Sequence, residues 1–391
     1  MRPPMLHAAP RNCFLGKVVL DYPFRKSIIT QRMRNQEKEA GAKWQQPPAC
    51  GTHKRIEWID NARCIAAFLV VYVHWRWRID VPESNGHDLL NNYAYFSTLY
   101  GNVPFFLILT GYFLNRNISW GKAWRRFIWL LVPFVLLNLC VYGVGLLSGR
   151  PAESLCSVLG LGHIFTHGGV AIDPSATVPV IVPSWFLRDV MLLSLITPLL
   201  DKIKPLVICG ICFAFSCLAW QVPLDPSCVL NPGTCIFFAL GVCMSRINIG
   251  AWSAWVEKGH TLVFALLFIV ASVYSLYSVE CFHHGARATL FGMLAGAAMI
   301  GYAGMLIERY MPRFSKVLSS YGPACFFVYM FHHPMLTALQ TWGPRVVVYS
   351  IPALLIPAVV YVGLLLLYRQ IKRFAPWLLP FVALERNAPS K

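Results

Sequence analysis

Arg63 and His74 share one long apolar run, in the line Arg55-Ile-Glu-Trp-Ile-Asp-Asn-Ala-Arg-Cys-Ile-Ala-Ala-Phe-Leu-Val-Val-Tyr-Val-His74. Eleven positions separate them. At about 100° per residue they return to within roughly 20° of one helix face, about 16 Å apart along the axis. An imidazole takes and gives protons near neutral pH, and a guanidinium holds carbonyl oxygens and anions. One face of one hydrophobic helix therefore carries a fixed cation near one end and a titratable ring near the other. Ionisable groups at membrane depth are costly and face a cavity or pathway, so the pair points to function.

Other ionisable residues recur at the same depth. With the amino terminus inside, His74 ends its run at the outer interface. A later run returns inward from Trp185 and puts Arg188 and Asp189 near the outer surface, and another goes outward from Tyr321 and carries His332 and His333 in its middle or outer half. There an imidazole can act as general base on a hydroxyl delivered from outside. An arginine would hold a carbonyl or an anionic group, and an aspartate would orient the ring.

Plainer readings stand beside these. His74 with Trp75 and Trp77 also resembles an aromatic interfacial belt. Arg188 and Asp189 are adjacent, so they point about 100° apart on a helix and are expected to be neutralised by different neighbours. His332 and His333 cannot share a face, so at most one is expected to be functional. His163 and His167 have an i, i+4 metal-ligand spacing, but the Gly and Pro around them favour a solvated loop. His283-His284 has the same plain reading, and Lys122, Arg125 and Arg126 read as anchors on the inner face.

Holding such groups in place requires apolar helices. The 391 residues are 57% hydrophobic, 14% aromatic and only 13% charged, with a mean hydropathy of +0.54, which excludes a soluble domain of this size. Spanning or nearly spanning runs occur at 59–74, 93–114, 127–147, 185–200, 205–220, 233–245, 260–279, 289–308, 321–341 and 346–368. The expected fold is an all-α bundle of about ten transmembrane helices, the run at Gly233 being the shortest. The runs are continuously apolar rather than alternating, which argues against a barrel.

The net charge of +17 invites a nucleic-acid partner, and its placement argues against one. Basic residues crowd the stretch before the first run, the loop with Arg116, Lys122, Arg125 and Arg126, the turns with Lys202, Lys204, Arg246, Lys258, Arg309, Arg313 and Lys316, and the segment from Arg369 to Lys391. The alternate connections hold only Arg76, Arg78, Arg150, Arg287 and Arg345. That asymmetry predicts both termini in the cytoplasm, in a multi-pass protein of the inner or plasma membrane. It also favours anionic headgroups or an anionic cytosolic cofactor as partners.

Residues 1–54, polar and with Pro47-Pro48, read as a disordered basic cytoplasmic leader rather than a signal peptide. Residues 55–370 form the membrane domain, and 371–391 a cytoplasmic tail. Most of the thirteen cysteines lie within the apolar runs as small core residues. The Cys209-x-x-Cys212 pair lacks a second ligand pair, so no metal is expected. Cys156, Cys228 and Cys281 fall in outward loops, where the sequence does not choose a bridge. No repeat at fixed period is visible. The Gly- and Pro-rich stretch from Ser148 to Ser184 is the one outward loop large enough to form a lid or bind a polar acceptor. Pro104, Pro133, Pro198 and Pro334 lie inside apolar runs and predict local kinks around a cavity.

Four stretches together resemble the integral membrane acyltransferase 3 family. Ile59-Asp60-Asn61-Ala62-Arg63 through His74 is similar to its first-span signature, an Arg followed by ten residues and a His. Val103-Pro-Phe-Phe-Leu-Ile-Leu-Thr-Gly-Tyr-Phe-Leu114 resembles its Pro-Phe-Phe-x-x-Ser-Gly-Phe block, with Thr110 where Ser is usual. Ser184-Trp-Phe-Leu-Arg-Asp189, closed by Pro198, resembles its Trp-Phe-Leu block, and Tyr329-Met-Phe-His332-His-Pro334 its late His-x-Pro block. The resemblance covers about residues 55 to 370.

It implies transfer of an acyl group, most often acetyl from cytoplasmic acetyl-CoA, to a hydroxyl of a cell-surface glycan or lipid-linked saccharide. By that resemblance His74 is the catalytic histidine, Arg63 its partner and His332 a further site residue, with Asp60, Arg188 and Asp189 in support. Lys122, Arg125 and Arg126 would hold the CoA phosphates, and no metal is implied. Donor and acceptor lie on opposite faces of the membrane, so a channel must bring the thioester to the outer side. The rival reading is a secondary transporter or exporter with His74, Asp189 and His332 as a proton relay.

Overall fold

The computed structural model describes residues 56–76, 101–114, 118–149, 151–161, 163–164, 170–171, 179–200, 228–230, 232–245, 285–342 and 352–384, with single positions between 202 and 214 and residue 266. All belong to the compact unit Ile56–Lys391. The leader, the runs at 205–220 and 260–279 for the most part, Cys209, Cys212, His167 and His283-His284 lie outside the described residues.

Helix α1 spans Glu57–Arg76, with Glu57 and Asp60 in its first turn, where the helix dipole favours negative charge. Next come α2 (Asn102–Leu114), α3 (Trp120–Leu147), the short α4 (Leu155–Leu159) and α5 (Ser184–Leu200). Helices α6 (Pro232–Met244), α7 (Gly285–Tyr310), α8 (Pro312–Ser320), α9 (Ala324–Trp342) and α10 (Pro352–Phe374) follow. A 3-10 turn, Pro376–Leu378, leads into α11 (Leu379–Val382). The all-helical expectation holds for the bundle. Among the described residues, β structure is confined to β1 (His163–Ile164), β2 (Val170–Ala171) and β3 (Cys228–Val229), ordered β2-β1-β3. β1 pairs antiparallel with β2 and parallel with β3. His163 therefore sits in an extended strand rather than on a helix.

The centre of the bundle is α1, which packs against α2, α7, α8, α9 and α10, while α2 lies along α6 and α3 along α5. The α2–α6 contact explains Gly111 of the Thr-Gly stretch, because a Cβ there would collide with the Phe238 carbonyl. Two buried clusters flank the seam between α1 and α9. One includes Cys64, Ala67, Val71, Cys325, Phe327, Val328 and Tyr361. The other includes Val70, Leu107, Phe134, Phe186, Tyr329 and Met330.

Among the described residues, two helices are long and apolar enough to cross a membrane, Trp120–Leu147 and Leu355–Phe374. Neither is a buried core helix. Trp120, Trp124, Ile128, Val132 and Leu136, at four-residue spacing, lie exposed along α3, and Leu355, Val359, Val362 and Leu366 do so on α10. Uncovered apolar stripes of that length match hydrocarbon rather than water. Pro133, Pro198, Pro334 and also Pro357 lie inside helices.

Helix α10 runs on to Phe374, and the chain then turns so that Leu379 and Ala383 are buried at 3% and 5% exposure. Removing these apolar side chains from solvent favours this course over an extended one, while Trp377 and Phe381 stay exposed.

Candidate functional site

The α1–α9 seam brings three imidazoles together at the carboxyl-terminal end of α1. The His74 ring meets that of His332 edge-on with centroids 4.8 Å apart, and that of His333 at 5.8 Å. The two rings diverge around α9, yet His74 enters the angle between them and touches both.

Helix geometry sets the chemistry of the two closest rings. His74 Nδ1 lies 2.9 Å from the Val70 carbonyl, and His332 Nδ1 lies 3.0 Å from that of Val328, each four residues earlier on its own helix. A carbonyl only accepts, so each Nδ1 carries the proton and each Nε2 offers a lone pair. His332 is fully buried, and its Nε2 has no hydrogen-bond partner. A buried acceptor without a donor is costly, and such groups mark sites where a ligand or proton is received.

Arg63 occupies the other end of the same helix. Its guanidinium lies 3.2 Å from Asp60 Oδ1, one turn earlier. Asp60 is nearly buried against the Tyr321–Pro323 turn, and Gly322 makes room for it, because a Cβ at 322 would collide with the Asp60 carboxylate. Beside it, Asn61 Nδ2 donates to Ser315 Oγ at 2.7 Å, and Ser315 Oγ donates to Glu57 Oε2 at 3.3 Å, fastening α8 to the start of α1.

Arg63 also lines a cavity of about 570 Å³. Its walls come from α2 (Phe106, Leu109, Thr110, Phe113, Leu114), α3 (Arg126, Trp129, Leu130), α5 (Phe186, Leu187, Val190) and α9 (Phe326), with Leu384 from the returning carboxyl-terminal segment. Two guanidiniums thus stand in an otherwise aromatic and aliphatic space. The three basic residues at the start of α3, Lys122, Arg125 and Arg126, are all exposed, and Arg126 is the one of them that lines this wall. Thr110 gives its hydroxyl proton to the Phe106 carbonyl at 2.7 Å, which leaves its oxygen as an acceptor.

Aromatic rings separate the cavity from the histidines. Phe106 and Phe186 line it on the side facing Tyr329, which contacts both, at 6.2 and 5.2 Å between centroids. Tyr329 in turn lies 6.1 Å from His332. Its hydroxyl donates to the Pro183 carbonyl at 2.9 Å, tying α9 to the turn before α5. The spacing of Tyr329 three residues before His332 places both on one helix face and could have flagged it in the sequence.

Arg188 and Asp189 pair with each other, Nε to Oδ1 at 3.1 Å, with both side chains fully buried. Asp189 Oδ1 also accepts from the Leu230 N–H at 3.2 Å, and an Arg188 terminal nitrogen donates to the Gly160 carbonyl. A long guanidinium can fold back along its own helix to a neighbour that points elsewhere. The pair joins α5 to α4 and to the segment after β3. Asn138 on α3 accepts from the Ile181 N–H and donates to Ser184 Oγ, fixing the segment before α5.

Cys64 and Cys325 are free buried thiols, and Cys156 is also free. Among the described residues no cluster of three or more His, Cys, Asp or Glu is arranged to hold a metal ion.

A family model described as an acyltransferase domain, of the acyltransferase 3 type, matches residues 56–369. No curated protein and no solved structure gives a match.

Proposed function

Since this chain belongs to the acyltransferase 3 family, we propose that it is an integral membrane O-acyltransferase moving an acetyl group from cytoplasmic acetyl-CoA to a hydroxyl of a cell-surface glycan or lipid-linked saccharide. The observation that carries this reading is the division of labour along α1. Arg63 lines an apolar cavity together with Arg126, and His74 meets His332 at the far end of the same helix.

In this reading about ten helices cross the inner or plasma membrane with both termini in the cytoplasm. The exposed apolar stripes of α3 and α10 support it, as does the bias of basic residues. Acyl-CoA approaches from the cytoplasmic side. Lys122, Arg125 and Arg126 hold its phosphates, and Arg63 guides its amide-bearing arm into the cavity. The thioester then lies toward Phe106 and Phe186, and their rings must turn aside for it to reach His74. Water is scarce on that path, which protects the thioester from hydrolysis.

The acceptor hydroxyl gives its proton to His74 Nε2 as its oxygen attacks the thioester carbonyl. The tetrahedral intermediate collapses with cleavage of the C–S bond, and the proton passes to the departing thiolate, so the products are ester and free CoA. The Nδ1–H bond to Val70 holds the ring in the tautomer this step requires. His332, with the same tautomer and an unengaged Nε2, supports His74 by accepting from the same hydroxyl or sharing the transferred proton. Asp60 orients Arg63. Arg188 and Asp189 act at a distance, by bracing the outer segments. The transporter reading would need Asp189 as a proton carrier, whereas its carboxylate is engaged by Arg188 and the Leu230 amide.

The test is purified protein given labelled acetyl-CoA, beside mass spectrometry of surface glycans from cells with and without the gene. A glycan mass difference of one acetyl group, lost in His74→Ala, supports the reading. Gradient-driven uptake of a solute without any acyl donor would sink it. Label trapped on His74 itself by rapid quenching, and released by acid or hydroxylamine as an acylimidazole is, would replace the base mechanism by an acyl-histidine intermediate.

A further inference from the structure

The family match ends at residue 369, yet one of the residues that line the cavity, Leu384, lies beyond it. After α10 the chain turns at Ala375 and runs back through Pro376–Leu378 and α11 to Leu384. This strap has two faces. Leu379 and Ala383 are buried in the core cluster that holds Tyr368, Phe327 and Val328. Trp377 and Phe381 are exposed on the other side. Helix α11 packs against both α3 and α9, the helices that contribute Arg126 and Phe326 to the cavity wall.

Leu384 follows α11 directly and lines the cavity. It is also one of two non-glycine residues with positive φ among the described residues, at +54°. A leucine in the left-handed region is disfavoured by contact of its Cβ with the backbone, and it persists where the surroundings fix it. Here buried Leu379 and Ala383 anchor the strap, and the left-handed turn at 384 accompanies the placement of an apolar side chain against a space that holds two arginines.

We propose that the strap Pro376–Leu384 is the closing wall of the donor cavity, and that Leu384 is a donor-binding residue whose side chain lies along the apolar part of the CoA arm. The proposal rests on the acyl-CoA reading of the cavity and adds to it a residue outside the family domain. Leu384 belongs beside the inner-end residues Arg126 and Phe326, so it acts on capture of the donor rather than on the chemistry at His74. Without it, the wall between α3 and α9 opens and the arm loses an apolar contact.

The experiment compares full-length protein with Leu384→Gly and Leu384→Trp. Glycine accepts the positive φ without strain, so Leu384→Gly removes the side chain while favouring the same turn. Two quantities are read: equilibrium dialysis of labelled CoA, and KM against kcat for acetyl-CoA. The expected result for Leu384→Gly is a five- to tenfold weaker Kd and a matching rise in KM, with the change lying in KM rather than kcat. Leu384→Trp, which fills the cavity, should weaken CoA binding further. Wild-type CoA affinity in both variants would overturn the role of the strap while leaving the acyltransferase reading intact. So would a fall in kcat with Kd unchanged, which marks a structural role only. Wild-type protein that neither binds CoA nor transfers acetyl defeats the function proposed for the cavity, and the strap proposal with it.

Discussion

Cys64 and Cys325 lie with their sulfurs 3.6 Å apart at one end of the seam whose other end joins His74 to His332. Cys64 precedes His74 by ten residues and Cys325 precedes His332 by seven. Two contacts between the same helices fix their relative register, and so decide which face of α9 the His74 ring of α1 meets. Cys64 Sγ donates to the Leu318 carbonyl at 3.3 Å, and the Tyr361 hydroxyl donates to the Cys64 carbonyl at 3.0 Å, so the cysteine contact is held from three helices and the turn of α8.

If that seam is closed in the working protein, Cys64 and Cys325 should resist alkylation. Mass spectrometry after brief maleimide treatment of folded protein should find both unmodified, with modification appearing on denaturation. Labelling of Cys64 at the rate of an exposed thiol would disprove the closed seam.

His74→Ala should lower kcat for acetyl transfer by roughly 10²–10⁴-fold, the range for a general base. His332→Gln should cost less, about tenfold, since the group that takes the proton remains. Both are to be measured on protein whose elution profile matches wild type. Equal activity in His74→Ala and wild type would remove the histidine from the mechanism.

Phe106→Ala and Phe186→Ala should open the cavity toward Tyr329 and the histidines. Water would then reach the thioester, and the ratio of acetyl-CoA hydrolysis to transfer should rise about tenfold. A ratio that stays at the wild-type value would show that these rings do not separate donor from solvent.

Gly322→Ala should act on Arg63 at second hand. The added methyl displaces the Asp60 carboxylate that pairs with Arg63. A shift of the guanidinium of about 1 Å should cost ten- to a hundredfold in kcat/KM for the donor. The comparison is Ser320→Ala, whose hydroxyl donates to the Val317 carbonyl on the exposed face of α8. Similar losses in both would make the effect general to α8.

Arg188→Ala or Asp189→Ala leaves a fully buried charge without its partner and should destabilise the fold by about 3–5 kcal/mol. Replacing both, as Arg188→Met with Asp189→Leu, should cost less than the sum of the two. Thermal unfolding in detergent reads both quantities. Additive losses would mean that the two residues act independently.

The helix that carries Arg63 and His74 was legible in the chain, because an apolar run with ionisable residues eleven positions apart states its own period and its own face. The stretches around Thr110 and Ser184 stood out by their resemblance to the acyltransferase 3 family, and only that resemblance assigned the basic group containing Arg126 to the donor. Partners across the bundle were not. Periodicity tells which side of its own helix a residue occupies, and says nothing of what another helix brings there. The Arg188–Asp189 pair depended on a flexible side chain bending back along α5, and the engagement of both His332 and His333 depended on where α1 crosses α9.

Leu384 is the clearest case. In the chain it is one apolar residue near a basic terminus, with no period around it to read. Its place in the cavity arises because α10 ends at Phe374 and the chain after it has an apolar face to bury. The sequence by itself determined the apolar helices and the residue types available for proton transfer and anion binding, since these follow from local pattern and intrinsic chemistry. Only the tertiary structure decided which of them meet, because side-chain contacts between distant helices are set by packing that no local pattern encodes.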